Sequence, residues 1–493
     1  MKAFAKKEIR DNMTFRKFSP RSSPLNYHLV PMVITIAAVG VFSILWGERI
    51  SIYGGFGWDG RVYGTIAQNM DVRSLDFFYI QRIFSSLIVH SSLTVLQQPL
   101  DNEHVVVAFS VLNLVALLSS CFLYRCIASE LNLSTSGFWL GFIGIFVNFL
   151  CLKSLWYVPV MTDFAAIALS LAMLLFYLRK QQLPLALVTL LGAFTWPTLI
   201  YIGVLLLTFP RTPIVEQDTR HPRYLAAGLA AFVFASVLAL YYVWGRELKY
   251  SAAAPIRVLV PFSLALCLMY VYAASVLLLH GISGRTIFTS LTPRRAAIAG
   301  TLFAAARIPA YYFASSSRHY VNALSTTADI VERSVVRPLG FLAAHAIYFG
   351  PVFLLFLFYW KPFSKLIRSY GLGLTLVILM GVFLSINTES RQNIPSYVMA
   401  VPFLGLLVKT PALPARFFWL IGALALASSK VWMRMRLPAY DDGKWLRFPL
   451  QRLFMSVGPW IDNRMFVLQG AIVLATAILL YVYLRHRRHE VNC

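Results

Sequence analysis

The stretch LPLALVTLLGAFTWPTLIYIGVLLLTF, residues 183–209, decides how the rest of the chain is laid out. Read as one helix, it exceeds the roughly 20 residues that cross a bilayer. Read as two, it is a short hairpin of segments 183–195 and 197–209, broken at Trp196-Pro197. Proline lacks an amide hydrogen and disfavours helix in the residue before it, so a break there is reasonable. The distribution of basic residues arbitrates. With the hairpin, the N-terminal tail, Arg179-Lys180, 211–223, Arg285 with Arg294-Arg295, 361–368, Lys409 to Arg416 and the final RHRRHE all fall on one side. Without it, every segment after residue 196 flips. Cytoplasmic loops of membrane proteins carry the Lys/Arg excess, so the hairpin is expected and both termini are expected in the cytoplasm.

Working outward, apolar spans are read near 30–46, 105–124, 136–155, 160–178, 224–244, 257–280, 296–313, 338–360, 370–386, 394–409, 416–433 and 465–484, besides the two halves of the hairpin. The expected fold is therefore an all-α polytopic membrane protein with about 12–14 transmembrane segments. A basic tail (1–29) precedes an N-terminal transmembrane module (30–209) with a first outer loop at 47–104; a C-terminal module (210–484) and a short cytoplasmic tail (485–493) follow.

Composition agrees. The 493 residues are 58% hydrophobic and only 13% charged, about half the charged share of a soluble protein. The net charge of +24 sits in short segments between apolar runs, which points to cytoplasmic loops and away from nucleic acid. The five cysteines show no CxxC or Cys/His metal spacing. The N-terminus is basic but lacks a small-residue cleavage site, so an uncleaved first helix is expected. Some outer segments are themselves basic, with Arg318, Arg333 and Arg337 in one and Arg434, Arg436, Lys444, Arg447, Arg452 and Arg464 in another. Snorkelling to headgroups is one explanation and an anionic partner the other.

The first outer loop carries the most chemistry. It reads WGERISIYGGFGWDGRVYGTIAQNMDVRSLDFFYIQRIFSSLIVHSSL. Asp59 lies between Trp58 and Gly60 in a glycine-rich turn; RVYGTIAQNM reads as a short helix and SLDFFYIQRIFSSLIVH as an amphipathic helix in the interface. A carboxylate there is placed to take a proton from an incoming hydroxyl, or it caps the following helix. Asp163, after Thr162 in WYVPVMTDFAAIALSLAML, is a helix-start acid: a cap, or a partner of Asp59 at the same membrane level. Glu389 and Arg391, in INTESRQNIPSY, form either a weak surface pair or a phosphate-binding arginine held by its glutamate. Arg307, in a mostly apolar segment before Pro309, either snorkels or reaches a lipid-linked phosphate. Arg82 and His319 are weaker candidates.

The motif GWDGRVYGTIAQ in a long first outer loop, with a QRI stretch leading into the interfacial helix, resembles the bacterial GT-C superfamily of membrane glycosyltransferases. The resemblance covers the helix–long loop–helix opening and the general layout, and INTESRQ is similar to the Glu-x-Arg that related enzymes carry late in the chain. It implies a GT-C-like fold and an inverting transfer of a sugar from a polyprenyl-phosphate carrier to an acceptor hydroxyl on the periplasmic face of a bacterial inner membrane. In that superfamily the first-loop carboxylate is the base, and Asp59 is the matching position; Asp163 would assist it. Arg391, Glu389, Arg307 and Arg82 would bind the donor phosphate, and Trp58, Gly60, Tyr63 and Trp196 would line the substrate pocket. Many relatives pair two acids in the first loop, whereas Asp59 has no acidic neighbour. No cofactor is required, and a divalent metal has no ligand cluster behind it. The acceptor would be a glycan, a lipid-linked glycan or a protein. A secondary transporter or a lipid-linked glycan flippase is the competing reading.

Overall fold

The computed structural model describes residues 26–214, 221–243, 257–315, 330–408, 414–433 and 463–492. Among these the regular structure is helical. Helix α1 is Asn26–Trp46, and the first loop then holds α2 (Gly60–Asn69), α3 (Phe77–Ile80) and α4 (Ile83–Val95). There follow α5 (Asn102–Glu130), α6 (Thr135–Phe146), α7 (Asp163–Leu178), α8 (Gln182–Ala193) and α9 (Leu199–Thr208). The second half comprises α10 (His221–Val243), α11 (Val260–Leu278), α12 (Gly284–Ser290), α13 (Pro293–Tyr312), α14 (Gly340–Phe349), α15 (Val352–Ser369), α16 (Leu372–Leu384), α17 (Ile394–Leu407), α18 (Ala415–Ser429) and α19 (Asn463–Asn492). Residues 1–25 of the basic tail, 244–256, 316–329 (with Arg318 and His319) and 434–462 lie outside the described residues.

The chain is an all-α, multi-pass membrane protein. Among the described residues five helices are long and apolar enough to cross a bilayer, or seven if each of two bent pairs is one span. Apolar side chains such as Ile34, Phe42 and Trp46 of α1 stand exposed, as expected where hydrocarbon is the solvent. The hairpin at 183–209 forms: α8 and α9 pack on each other, and Trp196 sits fully buried between them. Three expectations need correction. The span read at 136–155 bends by 49° between Thr135–Phe146 and Leu150–Tyr157. The span read at 338–360 is two helices, α14 and α15, which meet at 115° around Gly350-Pro351. The amphipathic helix read at SLDFFYIQRIFSSLIVH is likewise two, α3 and α4. Asp76 caps α3 by accepting from the Tyr79 amide at 3.1 Å, and the chain turns at Gln81-Arg82. The turn carries Arg82 inward, where an unbroken surface helix would have left it in water.

The core runs through the centre of the bundle. Helix α5 packs along α7, and α17 lies against both α6 and α7. The α6–α17 crossing is close because glycines face each other: a Cβ on Gly137 would stand 2.3 Å from the Gly405 carbonyl oxygen. Small residues at such crossings let backbones approach in lipid, where helices gain little from hydrophobic contact. Tyr397 of α17 stacks on Phe349 with ring centres 4.1 Å apart and donates its hydroxyl to the Gly144 carbonyl at 3.0 Å. This packing fixes the start of α17, and with it the turn Ser390–Asn393, beside the start of α7.

Candidate functional site

Three remote stretches meet at one end of the bundle. The first is the start of α2. Its approach is set by the Ile50 amide donating to the Tyr157 carbonyl at 2.9 Å. Gly60 then lies so close to the second stretch that a Cβ there would stand 2.7 Å from the Val160 carbonyl oxygen. That second stretch, the 158–162 turn, is held by Asn113, whose side-chain amide donates to the Pro159 carbonyl at 2.8 Å. It delivers Asp163 as the first residue of α7. The third is the 390–393 turn. Its Glu389 amide donates to Asn387 at 2.9 Å, and its Ser390 hydroxyl lies 2.9 Å from His345 Nδ1. His345 donates its other ring nitrogen to the Ser385 carbonyl at 2.8 Å.

Arg391 joins the three. Its Nε donates to Asp163 Oδ1 at 2.8 Å and its Nη2 to Asp163 Oδ2 at 3.0 Å, a two-pronged pair. Its Nη1 donates to Asp59 Oδ2 at 3.1 Å. The two aspartates differ in exposure, which decides their roles. The Asp163 side chain is 0% exposed and the Asp59 side chain 46%, with Arg391 at 12%. Asp163 is thus the anchor and Asp59 the solvent-facing end. Asp59 occupies the N-cap of α2, but its side chain makes no capping hydrogen bond, so the helix-cap reading does not account for it. Burial works against the Arg391 charge, yet Asp163 and Asp59 outweigh it and hold the guanidinium pKa well above its usual value.

A second arginine backs the first. Trp196 lies under Arg82, ring centre 4.5 Å away, and at 5.7 Å from Arg391. Arg82 is itself buried, packs over Phe78 at 4.2 Å and donates from Nη1 to the Tyr63 hydroxyl at 2.9 Å. Each such cation–π contact contributes about 0.5–2 kcal/mol, more where water is excluded. Burial pushes the Tyr63 phenol up, against Arg82, with Asp59 adding to the rise. Tyr79, edge-on to Tyr63 at 5.8 Å, is pushed up as well by burial and then by Asp59. Both phenols stay protonated at neutral pH and can only donate or accept hydrogen bonds. The Trp196 indole N–H and the Thr162 hydroxyl are buried without a hydrogen-bond partner.

The structure therefore gathers Asp59, Gly60, Tyr63, Arg82, Asp163, Trp196 and Arg391. Trp58 packs half-buried against the main core. Arg307 lies one step away: it donates to the Gln81 side chain, beside Arg82, with its guanidinium 5.0 Å from the Tyr201 ring centre. Glu389 departs from expectation. Its carboxylate accepts from Arg333, not from Arg391, which it reaches only through its charge, because Glu389 and Arg391 point to different neighbours. Sequence reading also missed His345, which braces that turn. Its only signal was a histidine in the apolar run FLAAHAIYFGP, and most such histidines are hydrogen-bonded core residues. Among the described residues no three His, Cys, Asp or Glu side chains gather in a metal-binding group.

The arrangement offers a half-exposed carboxylate, a buried cation touching it, and a wall of aromatic rings. No family model matches the chain, and no curated protein and no solved structure matches it either.

Proposed function

We propose that the chain is an inverting membrane glycosyltransferase of the GT-C kind, moving a sugar from a polyprenyl-phosphate carrier to an acceptor hydroxyl. In this reading about 12–14 segments cross a bacterial inner membrane, both termini are cytoplasmic and the site opens to the periplasmic face. One observation carries the reading: the half-exposed Asp59 carboxylate is held by a single bond from Arg391, whose other two nitrogens each donate to buried Asp163. The Asp59 contact is the labile one. An incoming donor phosphate replaces Asp59 at Nη1 of Arg391 and frees the carboxylate. Asp59 then takes the proton from the acceptor hydroxyl. The oxygen attacks the anomeric carbon from the face opposite the phosphate, and the carbon–oxygen bond breaks. The electron pair leaves with the polyprenyl phosphate, whose charge Arg391 stabilises, with Arg82 and Arg307 close by. Tyr79, which is only partly buried, offers a face for the sugar, and buried Trp196 supports the two arginines.

The test is transfer from labelled polyprenyl-phosphate sugars to candidate acceptors, with the purified chain in nanodiscs and Asp59→Asn alongside. Turnover that the substitution abolishes supports the reading, and full activity in Asp59→Asn sinks the assignment of the base. A secondary transporter is the second reading, favoured by the 115° break between α14 and α15, since broken helices line many transport sites. Substrate-dependent flux in proteoliposomes without donor turnover would select it.

A further inference from the structure

Away from the carboxylates, α11, α15, α16 and α17 enclose a cavity of about 310 Å³, lined by Leu277, Phe353, Trp360, Phe363, Ile378 and Tyr397 among others. At its mouth the lining residues Ala273 and Leu357 stand exposed. The walls are apolar except at one spot. Asn393 and Ser396 line the cavity and are 5% and 4% exposed, yet Asn393 Oδ1 and Ser396 Oγ have no hydrogen-bond partner. Leaving such groups unmet in a buried site is costly. Gly381 of α16 packs close to both: a Cβ there would stand 2.6 Å from Ser396 Cβ, 3.0 Å from Ser396 Oγ and 3.5 Å from Asn393 Oδ1. The nearby Tyr270 and Ser385 hydroxyls are already bonded to each other at 2.8 Å.

We propose that this cavity is a binding site for a single-chain lipid that carries a hydroxyl. The chemistry selects the class. Asn393 Oδ1 needs a donor, the Ser396 hydroxyl can donate, and a hydroxyl group is the smallest function that gives to one and accepts from the other. The volume stands at the lower end of ligand pockets, enough for one chain. Entry is lateral, from the bilayer, past Ala273 and Leu357. The proposal rests on the cavity and its two unmet polar atoms, and stands whether or not Asp59 is a catalytic base.

The experiment uses the full chain in nanodiscs with a long-chain primary alcohol that bears a mid-chain diazirine. After irradiation, modified peptides are identified by mass spectrometry. The expected label falls on α11 or α15 around Ala273 and Leu357. Unlabelled alcohol competes, and its methyl ether, which cannot donate, competes about tenfold less well. Ala273→Trp, at the mouth, removes the label. Ser396→Ala weakens alcohol and ether alike, whereas Asn393→Leu, which removes the acceptor, keeps the label but narrows the preference for alcohol over ether. Asp59→Asn leaves all of this unchanged. Absence of label at this position overturns the proposal, as does a label that Ala273→Trp leaves in place. Equal competition by the ether means that water meets the two polar atoms and overturns the hydroxyl assignment. Polyprenyl phosphate competing better than the alcohol overturns it too and makes the cavity a slot for the donor's tail.

Discussion

Replacing Asp163 with Asn separates anchoring from reactivity at the Arg391 site. The substitution preserves shape but removes the charge that faces Nε and Nη2 of Arg391 at 2.8 and 3.0 Å. The asparagine can accept one of those two bonds; its amide nitrogen then meets the other as donor against donor. Breaking a buried pair by removing one partner costs about 3–5 kcal/mol. Asp59→Asn removes one contact of 3.1 Å from a side chain 46% exposed to solvent, and such pairs contribute about 0–1 kcal/mol. The two variants should therefore differ by at least about 2 kcal/mol, a factor of roughly 30 in the folding equilibrium. Denaturant unfolding in mixed micelles, run as double-mutant cycles with Arg391→Ala, reads both couplings. The coupling of Asp163 to Arg391 should be several-fold larger than that of Asp59. Equal destabilisation by Asp59→Asn and Asp163→Asn would refute the division into anchor and labile contact.

Other outcomes follow from the same geometry. Arg391→Lys should not rescue Arg391→Ala, because an ammonium cannot span both Asp163 oxygens and reach Asp59 together; wild-type thermal stability in Arg391→Lys would count against the fork. Tyr63→Phe removes the acceptor for Arg82 Nη1 and should destabilise by about 1–3 kcal/mol, measured by the same unfolding assay. Gly60→Ala should push α2 off the Val160 carbonyl, draw Asp59 away from Arg391 and reduce donor turnover by more than it reduces stability. The Tyr79 phenol has a raised pKa in the folded state, so the folded chain binds its proton more tightly than the unfolded one. Its contribution is complete below the ordinary tyrosine value of 10.0 and is lost as pH rises past it. Stability scanned upward from there should fall less steeply in Tyr79→Phe than in wild type.

Much of the layout was legible because lipid imposes one strong rule on sequence: backbone polar groups must be met within the segment. Apolar length therefore located most of the helices, and Trp196-Pro197 located the break between α8 and α9. The site was legible as separate acids and arginines, because a charge next to an apolar run is costly enough to draw notice. The pairing was not legible. Arg391 reaches Asp163 across 228 positions and Asp59 across 332, and only the packing of α17 on α7 decides that it meets them and not Glu389. The corner at Gly350-Pro351 escaped because α14 and α15 are both apolar, so hydropathy runs unbroken through it. His345 escaped because its neighbours in sequence say nothing of the 390–393 turn it supports.

The separation of Asp163 from Arg391 by 228 residues also has a consequence for biogenesis. At roughly 5–20 residues per second, the acid emerges from the ribosome roughly 10–50 s before its counter-ion. In that interval the start of α7 enters the membrane with an acidic side chain that has no cation beside it, a costly arrangement. The Asp163–Arg391 pair is then completed only in a chain whose synthesis has passed residue 391. A nascent chain stopped before that point presents a lone acid at the end of an apolar helix, a mark by which membrane quality control can tell it from a finished one. Pulse-chase half-lives of chains ending before and after residue 391, each compared with its Asp163→Leu counterpart, would read that mark; equal lifetimes throughout would remove it.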